Sequence, residues 1–286
     1  MMITAEYWYL LPISVMIATV AMTSGIGGAV FFAPIFMIGI RLEPSVAVGT
    51  ALITELFGVG SGVLAYWRRR LIDMPLARQL LVFSVPAAVL GSLGADAIPS
   101  IVLRTAFGVG VIFIGSQLYL SLSHEEVDRL GDELAADTRE PGTVLTDSAG
   151  REYRYTVTRP DQGRVFAAVG GAFLGAISVG LAELQEYHLM ARCRVPPPVA
   201  VATSLFVVLI SVVAASVGHA YHFATAADPD TVAQVAGIIA FTVPGVVIGG
   251  QIGPFVQARA NPDHVKRGIS MVFIAVGVFM LVTIDR

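Results

Sequence analysis

The chain has 286 residues, of which 55% are hydrophobic and only 14% are charged, and its net charge is -3. Soluble domains carry about 25% charged residues, so this composition excludes an ordinary soluble enzyme. The sequence has no basic run beyond Arg68–Arg70 of the kind that binds nucleic acid. Apolar tracts of about 20 residues, the length that crosses a bilayer, recur along the whole sequence. The composition therefore predicts an all-α polytopic membrane protein surrounded by lipid.

Eight apolar tracts follow one another along the chain, and one long polar segment divides them into two groups. The tracts are 8–40, 45–66, 76–95, 101–121, 165–190, 198–223, 232–257 and 264–284. These limits predict an N-terminal membrane part at 1–122, a polar insert at 123–164 and a C-terminal membrane part at 165–286.

The polar insert has two sections with different patterns. SHEEVDRLGDELAA predicts a short amphipathic helix, because Ser123 and Glu126 fit a capping box. TVLTDSAGREYRYTVT predicts a β-hairpin that turns at Asp147–Gly150. Nothing in either section suggests catalysis.

The two membrane parts share three motifs in the same order. A small, glycine-containing break at 24–27 matches ISVG at 177–180. SVAVGTAL, beginning at Ser45, matches PVAVATSL, beginning at Pro198, and later VPAAVLGSLG matches VPGVVIGGQIG. The order of the matches predicts an internal duplication.

The positions of basic residues orient the two copies, because cytoplasmic loops are rich in Lys and Arg. The loop with Arg68–Arg70 is predicted to be cytoplasmic, whereas the equivalent loop of the second copy carries Asp228 and Asp230 and is predicted to be external. Arg192 and Arg194 place another second-copy loop inside. Equivalent loops on opposite sides are the mark of inverted-topology repeats.

Inversion requires an odd number of crossings in each copy. We therefore expect each copy to contain a broken, re-entrant helix segment followed by three transmembrane helices, within seven to eight apparent spans. Both termini would be external and the insert cytoplasmic, in the cytoplasmic (inner) membrane. The alternative is eight complete spans.

The glycine break in GIGGAVFFAPIFMIGI, followed by SVAVGTALI and repeated as AVATSL, resembles the TauE/SafE family of anion permeases, the sulfite exporters. The resemblance covers nearly the whole chain except the insert. It implies movement of small sulfur-containing anions, such as sulfite or organosulfonates, across the cytoplasmic membrane. The second copy departs from the family pattern, because Glu183 and Glu186 stand where glycines are expected.

The two breaks are the predicted substrate site. The free N–H groups and the dipole at a helix N-terminus attract anions without a cationic side chain, and glycine allows close approach of the backbone. The residues assigned to this site are Gly25, Gly27, Gly28, Ser178 and Gly180. The alternative is that these small residues only allow tight helix packing.

Hydroxyl groups recur in the matched motifs. Thr50 in the first copy, and Thr203 with Ser204 in the second, are predicted to contact an oxyanion. The alternative is that they bond to carbonyl groups of their own helices.

Three carboxylates are candidates for coupling to protons or another cation. Glu55 lies in the middle of an apolar tract, and Glu183 and Glu186 are three residues apart, on one face of a helix. Glu183 is also assigned to substrate binding. For Glu186 the alternative is an ion pair with Arg192 or Arg194.

Two other classes of function remain open. An intramembrane metalloenzyme would use Glu183, Glu186 and His188, with His219 and His222 as further ligands. A non-transporting membrane scaffold would need no cavity at the glycine breaks. We expect no metal, cofactor or nucleic acid, and ATP is not the direct energy source because the chain lacks a Walker motif.

Overall fold

The computed structural model of the chain describes residues 5–24, 28–120, 142–158, 160–225, 229–257 and 262–283. The predicted amphipathic helix of the insert, and the glycines at positions 25 and 27, lie outside these ranges.

Helices dominate the described residues, as the composition predicts. The first copy contains α1 (Leu10–Ser24), α2 (Ala29–Pro34, continued by a π-helical turn at Ile35–Gly39), α3 (Pro44–Arg68), α4 (Met74–Gly94) and α5 (Ser100–Leu120). The second copy contains α6 (Pro160–Ile177), α7 (Leu181–Ala191), α8 (Pro197–Thr225), α9 (Pro229–Gln257) and α10 (Pro262–Val282). Short 3₁₀ turns lie at Ala5–Tyr7 and Ala95–Ala97.

Five of the described helices, α3, α4, α5, α8 and α9, are long and apolar enough to cross a membrane. In α10 the apolar part, Arg267–Val282, is shorter. Proline opens several of these helices, as at Pro44 and Pro197, where its missing N–H would have no partner in any case. The protein is thus an all-α, multi-pass membrane protein.

The second membrane part begins with a helix that is interrupted. In the second copy α6 ends at Ile177, and α7 begins after Ser178 and Gly180, whose φ angles are 57° and 110°. Such positive φ angles end a helix. The second piece, α7, has 11 residues, so it is roughly 16 Å long, about half the hydrocarbon thickness.

The pieces α6 and α7 fold back on each other. The backbone N–H of Thr158, just before α6, donates to the carbonyl oxygen of Cys193, just after α7, over 3.1 Å. The Thr158 hydroxyl donates to the carbonyl oxygen of Arg192 over 2.7 Å. The chain therefore enters and leaves this broken helix at the same end of the bundle.

The turn that precedes α3 has the same construction as the turn that precedes α8. Arg41 and Arg194, at matching positions, have φ angles of 62° and 55°. In the first copy the N–H of Leu42 donates to the carbonyl of Phe36, and in the second the N–H of Val195 donates to that of Leu189. Both distances are 3.0 Å.

Helix packing follows the same correspondence. Helix α1 packs on α9 as α6 packs on α4, and α3 packs on α9 as α8 packs on α4. The pairs α3–α8 and α5–α10 join equivalent helices. In α3 and in α8, 67% of the residues in an apolar stretch of 18 are buried inside the protein. In α4, α5 and α9 the corresponding share is 33% to 39%. Helices α3 and α8 are therefore the centre of the bundle.

Glycines set the closest helix contacts. A Cβ atom at Gly277 of α10 would lie 2.7 Å from the carbonyl oxygen of Gly108 in α5. Gly171 and Gly175 of α6 lie against the backbone of α4 in the same way. Small residues let membrane helices approach this closely.

The described part of the insert is a β-hairpin. Strand β1 (Thr143–Thr146) pairs antiparallel with β2 (Glu152–Tyr155), with Thr143 opposite Tyr155. Its turn donates from the N–H of Ser148 to the carbonyl oxygen of Arg69, in the α3–α4 loop. Since α6 begins at Pro160, the last residues assigned to the insert belong to a helix.

Candidate substrate site

Glu55 lies inside the central helix α3, and its side chain is only 3% exposed. Beside it is a cavity with room for about one water molecule. The cavity is lined by Ala18 and Ala21 of α1, Gly28 just before α2, Phe32 of α2, Gly58 and Val59 of α3, and Val246 of α9. Gly28, one of the glycines assigned to the substrate site, therefore lies beside the same cavity as the buried Glu55.

The predicted hydroxyl contacts have partners within the protein. The Thr50 hydroxyl donates to the carbonyl oxygen of Val46 over 2.7 Å. The Thr203 hydroxyl accepts from the N–H of Asp73 over 3.0 Å, and the Ser204 hydroxyl points to the carbonyl oxygen of Ala182 at 3.4 Å. The Thr50 hydroxyl therefore bonds to a carbonyl group of its own helix, which is the alternative to oxyanion contact considered in the sequence analysis.

The break at 177–180 contains a buried hydroxyl group, that of Ser178, with no hydrogen-bond partner among the described residues. Ser178 is 2% exposed, and its Oγ atom has no hydrogen-bond partner among the described residues. Gly180 follows at the N-cap of α7 with a φ angle of 110°, which an L-amino acid with a side chain rarely adopts. Ser178 and Gly180 thus lie at the geometric break that the sequence predicts.

Helix α7 carries two buried polar side chains on its inner face. Gln185 is 1% exposed and His188 is 2% exposed. Neither the amide atoms of Gln185 nor Nε2 of His188 has a hydrogen-bond partner in the part of the chain described. The His188 ring stacks on Phe166 of α6, with 4.4 Å between ring centroids.

Gln185 was not among the residues predicted from the sequence. A signal was present, because Leu181, Gln185 and Leu189 recur every four residues on one helical face. The acidic neighbours of Gln185 masked this pattern. Glu186 is half-buried on α7, and Glu183 belongs to the same helix, although its side chain is outside the description.

His219, one of the further metal ligands considered from the sequence, is buried inside the helix bundle. His219 is 1% exposed, and its Nε2 atom is 3.0 Å from the carbonyl oxygen of Gly175 in α6. It packs against α3 where Gly49 has no side chain, since a Cβ atom there would lie 2.9 Å from its ring. Among the described residues no group of three potential metal ligands occurs.

A buried polar junction joins the two copies and the hairpin. Asp73 caps α4 by accepting from the N–H of Leu76, and it accepts from the Tyr155 hydroxyl over 2.6 Å. Its own N–H donates to Thr203 of α8. Burial, and then the hydrogen bond to Asp73, raise the pKa of Tyr155, so the hydroxyl keeps its proton.

A broken helix that packs against spanning helices inside a multi-pass bundle is typical of secondary transporters. The model of the family Sulfite exporter TauE/SafE matches residues 10–280, and the chain belongs to this family. It is a membrane transporter and not an enzyme, which removes the metalloenzyme alternative.

Two curated relatives from Bacillus subtilis (strain 168) are similar to the chain. One, described as probable membrane transporter protein YunE, is 25% identical over 278 residues, covering 94% of each chain. The other, probable membrane transporter protein YjnA, is 39% identical over 69 residues, which are 23% of this chain and 25% of that one. No solved structure matches the chain at a comparable level of significance.

Proposed function

We propose that the protein is a secondary transporter that moves small anions, above all sulfite, sulfonates or related sulfur-containing anions, across the cytoplasmic membrane. We further propose that Glu55 couples this movement to protons. The observation that carries the proposal is the buried carboxyl group of Glu55 in the central helix, beside a small cavity lined by Gly28 and by residues of α1, α2, α3 and α9.

The buried position of Glu55 inside a membrane helix is the reason to propose that it binds a proton. A carboxylate at the centre of a bilayer costs about 2.5–3.5 kcal/mol on insertion scales, and a bound proton removes this cost. An ionised Glu55 would also repel an anion in the same pathway. Protonation therefore favours entry of the anion, which is the linkage that proton-coupled transport needs.

We also propose that the two copies are inverted repeats with external termini. The fold-back of α6 and α7 supports this arrangement, because the hydrogen bonds of Thr158 place both ends of the pair together. The matched helix pairs and the matched turns at Arg41 and Arg194 support a two-fold relation. Two such breaks would then lie near the middle of the membrane.

Uptake of a sulfonate into proteoliposomes tests the function. A sulfonate stays anionic at any working pH, so pH dependence reports the protein and not the substrate. We expect wild-type protein to take up methanesulfonate in response to an inwardly directed proton gradient. Glu55→Gln should lose the response to the gradient by about tenfold or more, equivalent to about 1.4 kcal/mol.

Glu43→Gln is the matched control, because Glu43 is an exposed carboxylate just before α3 and does not cap it by a side-chain hydrogen bond. It should behave as wild type. Absence of uptake of sulfite, sulfonates and carboxylates by folded wild-type protein would refute the proposal and favour a membrane scaffold. Proton-dependent uptake by Glu55→Gln equal to that of wild type would refute the role of Glu55.

A further inference from the structure

The buried side chain of Gln185 has polar atoms for which the described residues provide no hydrogen-bond partners. It is 1% exposed, and both its amide nitrogen and its amide oxygen lack hydrogen-bond partners within those residues. Buried amides in native proteins are almost always hydrogen-bonded, and exceptions call for an explanation such as a functional role or a bound molecule.

The direction of Gln185 follows from its neighbours on α7. On one side, the carbonyl oxygen of Ala182 faces the Ser204 hydroxyl of α8. On the other side, His188 stacks on Phe166 of α6. Residues three apart on a helix are displaced by about 60° around its axis, so Gln185 lies between these two contacts, on the side of α7 that packs against α6 and α8.

The sequence match between the two membrane parts gives the position of Gln185 a counterpart in the first part. When the breaks at 24–27 and 177–180 are aligned, Gln185 is equivalent in sequence to Phe32, which lines the cavity beside Glu55. When AVGTAL is aligned with AVATSL, Val208 is equivalent to Glu55. The first copy thus carries its polar group on the spanning helix, and the second carries it on the short helix after the break.

We propose that Gln185 is a substrate-contact residue, whose amide N–H groups donate hydrogen bonds to the oxygens of a small oxyanion of the sulfonate or sulfite class. Ser178, whose hydroxyl is also buried and without a hydrogen-bond partner in the described chain, is its second donor at the break. This inference rests on the proposed function, and it names the residues that contact the anion in the second copy.

Neutral donors suit a transporter. A pathway must bind its ion well enough to admit it and weakly enough to release it. An amide and a hydroxyl replace part of the water around an oxyanion without a fixed positive charge. The dipole at the N-terminus of α7, an 11-residue helix, adds a favourable potential.

The test uses Gln185→Leu, which keeps the approximate shape of the side chain and removes both polar ends. Removing an unsatisfied buried group does not destabilise a fold. We therefore expect a melting temperature without ligand that equals or exceeds that of wild type. Binding of methanesulfonate, measured by thermal shift and by direct titration, should weaken at least tenfold. Gln185→Glu should abolish binding, because it adds a negative charge.

Gln162→Leu is the matched control, since Gln162 is an exposed glutamine in the first turn of α6, and it should bind methanesulfonate as wild type does. Equal binding by wild type and Gln185→Leu would overturn the inference and leave the proposed function intact. A melting temperature of Gln185→Leu well below that of wild type would also overturn it, by showing a structural role. Failure of folded wild type to bind sulfite, methanesulfonate or acetate would instead refute the proposed function.

Discussion

The hydrogen bond from the Tyr155 hydroxyl to Asp73 links the β-hairpin to the membrane bundle, and we expect its loss to lower the stability of the protein. Tyr155 is 1% exposed, and its hydroxyl is 2.6 Å from a carboxylate that is itself 4% exposed. Tyr155→Phe removes only the hydroxyl, so the ring still fills its place. One oxygen of Asp73 then loses its donor, while the other keeps the N–H of Leu76.

The magnitude follows from the type of bond. A hydrogen bond to a charged group contributes about 1.5–3 kcal/mol, and the loss of one partner leaves the buried carboxylate incompletely solvated. We therefore expect Tyr155→Phe to lower the free energy of unfolding by roughly 2 kcal/mol. On the scaling of larger soluble domains this lowers the melting temperature by about 4–8 °C.

Thermal unfolding of purified protein in detergent measures this effect. Tyr153→Phe is the control, because Tyr153 lies on the same strand and its hydroxyl makes no hydrogen bond among the described residues. It should change the melting temperature by less than 1 °C, roughly the effect of an ordinary surface substitution. Equal melting temperatures of wild type and Tyr155→Phe would refute the claim that the buried hydrogen bond between Tyr155 and Asp73 stabilises the protein.

Two further predictions concern the arrangement of the chain. Reporters placed in the insert and after Asp228 should read on opposite sides of the membrane; reporters on the same side would instead support eight complete spans. Burial raises the pKa of the Cys193 thiol to about 11 from an ordinary value of 9.0, so a maleimide at pH 7 should label native protein far more slowly than unfolded protein. Because the folded pKa is the higher one, the thiol's contribution to stability is complete below pH 9 and falls as the pH rises through about 11. Equal labelling of native and unfolded protein would contradict its burial.

The sequence predicts the helices well because hydropathy and length are local properties. The tract 45–66 corresponds to α3, Pro44–Arg68, and the tract 232–257 to α9, Pro229–Gln257. The break at Ser178 and Gly180 was also predictable, because glycine and small residues interrupt an apolar run there.

The sequence could not predict which side chains these helices bring together. His219 is buried where α8 packs against Gly49 of α3 and Gly175 of α6, and no local pattern specifies those contacts. Asp73 acquires Tyr155 and Thr203 from two distant parts of the chain. For Gln185 the missing information was the rotation of α7, which turns this residue inward between two acidic neighbours.

In the proposed transport cycle, anion and proton cross the membrane together. Vesicles containing wild-type protein and an internal pH indicator, with no pre-set gradient, test it directly when methanesulfonate is added outside. We expect the interior to acidify as the sulfonate enters, at a rate that rises with sulfonate concentration to saturation, and we expect Glu55→Gln to abolish the acidification. Entry of the sulfonate into wild-type vesicles with no change of internal pH would refute proton coupling.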